Sequence, residues 1–157
     1  MSKYDWLLFL HVTGAFLLIG GSVVAAALSL ASLTRERPSE VAVLLGLIRY
    51  GLIPIYAGVL LTLVFGLWLV SERGYSYGSF WVIAALVLWA YANAVGGMGG
   101  RRDEETRRLA ERLAAEGDAP SAELRARQRD PVTLFLEYSG GVAILLILVL
   151  MIWKPGA

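Results

Sequence analysis

Four long apolar runs, at about residues 6–33, 50–71, 79–99 and 132–153, alternate with short charged blocks along this chain. The first, Trp6 to Leu33, contains one ionisable side chain, His11, which is also the only histidine. As a helix its roughly 42 Å exceeds the ~30 Å hydrocarbon core of a bilayer. A secretory signal peptide is the alternative for this run, but Lys3 is offset by Asp5 and the apolar stretch is nearly twice too long. The pattern predicts an all-α, polytopic membrane protein: one domain over residues 1–157, a four-transmembrane-helix bundle, and a charged cytoplasmic helical loop at 101–131.

Polar positions between the runs predict where helices begin and end. Within the first, His11, Gly14, Leu18, Gly21 and Ala25 share a face, with Leu7, Leu17, Val24 and Leu28 directed elsewhere. Thr34 to Glu40 reads as a charged turn, with Ser39 placed to cap the next helix behind Pro38. That helix is expected over Glu40 to Val70, with Arg49 at the inner boundary and Pro54 kinking the entry. The third helix begins near Ser79, carries Ala85, Trp89, Asn93 and Gly97 at four-residue spacing, and ends in the glycines of 96–100. Beyond it a solvated helix runs to about Glu116, closed by Gly117, and Ser121 caps a second short one. Asp130-Pro131 marks the start of the fourth membrane helix, which ends at Trp153.

Composition changes the picture little. At 57% hydrophobic, 17% charged and a mean hydropathy of +0.63, the chain is too apolar for a soluble domain. A formal charge of +1 gives no reason to expect a nucleic-acid partner, and with no cysteine there is neither a disulfide framework nor thiolate chemistry. The distribution of charge is more telling, since eleven basic residues belong to the blocks at 34–49 and 101–130 and three to the opposite side. The basic side is expected in the cytoplasm, with both termini outside and Tyr4, Trp6, Trp68, Tyr75, Tyr77, Trp81 and Trp153 as an outer aromatic belt. The basic run reads as a lipid-binding patch or, with its interleaved carboxylates, as a solvated helix; the second reading is favoured.

Candidate chemistry is sparse. His11, about 7.5 Å below Trp6 by helical rise, and Met151, a turn below Trp153, are a candidate axial pair for a haem iron. The plainer reading gives His11 a hydrogen bond to a neighbouring carbonyl or to Thr13. At the inner level Glu137 lies near the expected depth of Arg49, Tyr56 and Asn93. It either pairs with Arg49 to clamp the second and fourth spans or serves a proton or cation relay. Gly14, Gly21, Gly58, Thr62 and Gly66 are expected packing positions, and glycine-rich faces allow homo-oligomers. An oligomeric channel or small-solute transporter lined by Thr62, Asn93 and Glu137 is the rival class. No phosphate-binding loop, hydrolase triad or zinc-ligand spacing is present, so hydrolytic or nucleotide chemistry is not expected, and the chain is more simply not an enzyme.

The opening Leu7-Leu8-Phe9-Leu10-His11-Val12-Thr13-Gly14-Ala15 with Gly20-Gly21, four spans, the stretch Gly96 to Arg102, and the closing Met151 to Ala157 resemble a bacterial integral-membrane family, domain of unknown function 2269. That resemblance covers the whole chain and implies no particular activity. The first helix is also distantly similar to membrane proteins of the copper-resistance and protoporphyrinogen-oxidase type. This second likeness implies that His11 is a haem or metal ligand.

Overall fold

The computed structural model describes residues 2–156; Met1, Ala157 and the side chain of Glu137 lie outside the described residues. It contains five helices: α1 (Lys3–Ser32), α2 (Pro38–Glu72), α3 (Phe80–Ala115), α4 (Ala122–Gln128) and α5 (Pro131–Trp153). Four stretches, α1, α2, α3 and the Ala122–Trp153 segment that includes α5, are long and apolar enough to cross a membrane. The helices alternate in direction. Lys3 of α1 therefore meets Glu72 of α2 on one polar face, while Gln128 beside α5 meets Ser32 of α1 on the other. We call these the terminal face and the loop face.

Local signals account for most of the helix ends. Ser2 and Asp5 form a reciprocal capping box at the start of α1, Asp130 accepts from the Thr133 N–H at the start of α5, and Ser121 caps α4. Pro131 occupies the first turn of α5, where its missing N–H leaves no gap in the ladder.

Two boundaries differ from expectation. The glycines at 96–100 do not end α3, which continues through them to Ala115 and is 36 residues long in all. Glycine lowers helix propensity by only about 1 kcal/mol per residue, and the polar half of α3 recovers that by packing on α2 and α4. Ser39 likewise is not the cap of α2. The helix begins one residue earlier at Pro38, and the Ser39 N–H and hydroxyl both donate to Asp118, at 2.7 Å each. A carboxylate from the α3–α4 link thus accepts from the N-terminus of α2, where the helix dipole favours negative charge.

Two clusters close the ends of the molecule. On the loop face Val41, Leu45 and Ile48 of α2 pack with Ala110 of α3 and Leu124 of α4, which gives the polar extension of α3 a core of its own. On the terminal face Val70, Trp81 and Val82 pack with Tyr75, Leu150 and Met151. Trp81 is therefore interior, 4% exposed, and not part of a lipid-facing belt, whereas Trp6, Trp68 and Trp153 are exposed. Leu7 is buried as well and Leu28 packs on the loop-face cluster, because the face of His11 extends one turn in each direction.

Candidate functional site around His11

Between the two ends, α1 and α2 approach closely enough that Gly14, Gly21 and Gly58 have no room for a Cβ. A Cβ added at Gly58 would lie 2.5 Å from the Leu18 backbone nitrogen and 2.6 Å from the Gly14 carbonyl oxygen. One added at Gly14 would meet Leu61 Cβ at 2.6 Å, and one at Gly21 would meet Ile55 at 2.6 Å. Since lipid offers no hydrophobic drive between helices, such contact supplies the packing energy directly.

His11 lies in the same seam, one turn nearer the terminal face. Its ring occupies the space a side chain at Gly66 would need: a Cβ there would meet Cε1 at 2.9 Å and Nδ1 at 3.0 Å. Nδ1 lies 3.1 Å from the Thr62 carbonyl oxygen. A carbonyl only accepts, so this bond places the imidazole proton on Nδ1 and leaves the lone pair on Nε2. No described residue hydrogen-bonds Nε2. Thr62 completes the arrangement through its hydroxyl, which donates back to the Gly58 carbonyl at 2.7 Å.

Met151 occupies different surroundings, in the terminal-face cluster with Val70 and Trp81, and no contact with His11 is described. The inner polar positions do not converge either. Arg49 donates to the hydroxyl of Tyr50 at 3.0 Å, Tyr56 is 68% exposed on the outer surface of α2, and Asn93 donates to the Trp89 carbonyl of its own helix at 2.8 Å. Glu137, the fourth member of that group, has its side chain outside the described residues. Among the described residues there is no group of three metal-ligating side chains. The indole N–H groups of Trp81 and Trp89 are buried without a described partner.

Sequence reasoning missed three contacts. These are the Asp118 carboxylate on Ser39, the Gln128 amide donating to the Ser32 carbonyl at 2.6 Å, and the stacking of terminal-face cations on rings. Lys154 stands 5.3 Å from the Tyr75 ring centre and 5.8 Å from that of Trp81, Arg73 stands 4.1 Å from Tyr4, and Lys3 stands 5.4 Å from Trp68. The first two join residues 79 and 96 positions apart, beyond any local pattern. The aromatic belt was the one signal for the third.

These features define an integral membrane protein built on a glycine-packed helix pair, with one imidazole in the seam. Residues 5–155 match the family model described as "Predicted integral membrane protein (DUF2269)", and the chain belongs to that family. No curated protein and no solved structure matches it. The likeness to copper-resistance and protoporphyrinogen-oxidase proteins finds no support in these comparisons.

Proposed function

We propose that this protein is a cofactor-binding protein of the bacterial plasma membrane that holds haem through His11. The observation that supports this reading is the Nδ1 bond to the Thr62 carbonyl, with Gly66 making room for the ring. An imidazole anchored through Nδ1 presents Nε2 in a set orientation, as metal-ligating histidines do. His11 is the residue that would hold the iron, through Nε2. Haem held there would supply one-electron chemistry, and the chain would orient the ligand and exclude water from it.

The test is spectroscopic. Protein expressed with ample haem should purify with a Soret band that His11→Ala removes, while Met151→Leu leaves it in place or shifts it. A colourless wild type would reject haem binding and leave His11 as a packing residue. In that case His11→Ala should cost stability alone, about 1 kcal/mol for an intramembrane hydrogen bond.

The channel reading has less support, because the Thr62 hydroxyl and the Asn93 amide both bond to their own helices. Self-association has a specific observation behind it: a Cβ at Gly96, Gly97 or Gly100 of α3 would meet nothing within 4 Å, so another helix can approach there. Crosslinked dimers in native membranes that Gly97→Leu abolishes would support this, and a monomer at all protein concentrations would reject it.

A further inference from the structure

The loop face carries eleven arginines, and the structure divides them into those with a carboxylate partner and those without. Arg102, Arg107, Arg108, Arg112, Arg125 and Arg127 all pair with carboxylates, those of Asp130, Glu104, Glu111, Glu123, Glu36 and Glu105. Arg35 reaches Glu40 at 4.0 Å, and Arg37 lies close enough to Asp118 to help hold that carboxylate ionised. Three remain: Arg49, Arg101 and Arg129 are exposed and have no carboxylate partner among the described residues.

The same three stand at one level. By helical rise Arg49 is about 28 Å from Trp68 along α2, and Arg101 about 30 Å from Trp81 along α3. Arg129 is about 32 Å from Leu150, which packs with Trp81 in the terminal-face cluster. Each is about one hydrocarbon thickness from the level of the terminal-face cluster, the spacing expected for headgroup depth on the opposite leaflet. Arg49 is braced there, its guanidinium 4.9 Å from the centre of the Tyr50 ring and bonded to its hydroxyl.

A guanidinium at headgroup depth needs a counterion, and its planar fork matches the oxygens of a phosphodiester. At this depth Arg102 is neutralised by Asp130, whereas Arg49, Arg101 and Arg129 are left without a carboxylate among the described residues. We propose that Arg49, Arg101 and Arg129 form a site for anionic phospholipid headgroups on the loop face, independent of any cofactor at His11.

Full-length protein in mixed micelles with phosphatidylglycerol should melt several degrees higher than with phosphatidylcholine, and native mass spectrometry should show retained phosphatidylglycerol. The triple variant R49Q/R101Q/R129Q should lose both the shift and the retained lipid. Arg108→Gln, whose guanidinium is tied to Glu104, should keep both. A triple variant that keeps the wild-type shift, or a wild type indifferent to the two lipids, overturns the proposal. Inorganic phosphate that reproduces the shift also overturns it, in favour of a soluble anion. Should the triple variant not fold, Arg101→Gln and Arg129→Gln are tested singly: each should retain less phosphatidylglycerol, and unchanged retention in both rejects the site.

Discussion

A glycine can be required or merely tolerated, and the contacts of α1 and α2 separate the two cases. Gly58 faces backbone atoms of Gly14 and Leu18 that cannot move unless the helices part, whereas a Cβ at Gly20 would meet nothing within 4 Å. Gly58→Ala should therefore destabilise the protein by about 1–3 kcal/mol, the usual cost of overpacking. Gly20→Ala should cost nothing measurable, since alanine is the better helix former. Denaturation of the two variants in the same detergent checks this, and equal midpoints would contradict the close approach. The presence of small residues was legible in the sequence at every one of these positions. Which of them face backbone was not, because that depends on how α1 is rotated against α2.

Among the elements, the start of α2 depends on a residue far from it in the chain. Two donors of Ser39 hold Asp118, and those bonds keep the Asp118 carboxyl below the usual carboxylate range. On α3, bonds from Arg107 and Arg108 lower Glu104 to about 2. Both groups bind protons more weakly folded than unfolded, so each contributes stability above the unfolded value, about 4 for such carboxyls, that is lost as pH falls through the lowered folded value. The loop-face assembly should accordingly hold at neutral pH and loosen between about pH 4 and pH 2. Melting temperatures from pH 7 down to pH 2 should fall less steeply in Asp118→Asn, which is already weakened at neutrality; an unchanged slope would remove Asp118 from the account. The cap of α5 was legible because Asp130 and Pro131 are adjacent. That of α2 was not, since its acceptor is 79 positions away.

For the whole molecule, antiparallel helices place both termini on one face, and the eleven-to-three asymmetry of basic residues sets the expected orientation. Reporter fusions at Gly74 should report the non-cytoplasmic side, and one at Ala119 the cytoplasm. A cytoplasmic signal at Gly74 would invert the arrangement and move the arginines of the proposed lipid site to the outer leaflet.

What the sequence determined by itself is the class of molecule. Runs of twenty or more apolar residues have one stable solution in lipid, the helix, which satisfies its own backbone, so four membrane helices follow from hydropathy. Capping pairs within a few residues of each other follow as well. The tertiary structure alone decided which small residues became contacts, that Trp81 is interior while Tyr56 faces outward, and that α3 runs through five consecutive residues of which four are glycine. It alone decided which carboxylates Arg102, Arg112, Arg125 and Arg127 found, whereas the Glu104–Arg108 and Arg107–Glu111 pairs were legible as four-residue spacings on one helix. Each depends on rotation and packing between helices distant in sequence, and hydrophobic periodicity carries little of that information when a span is apolar on every side.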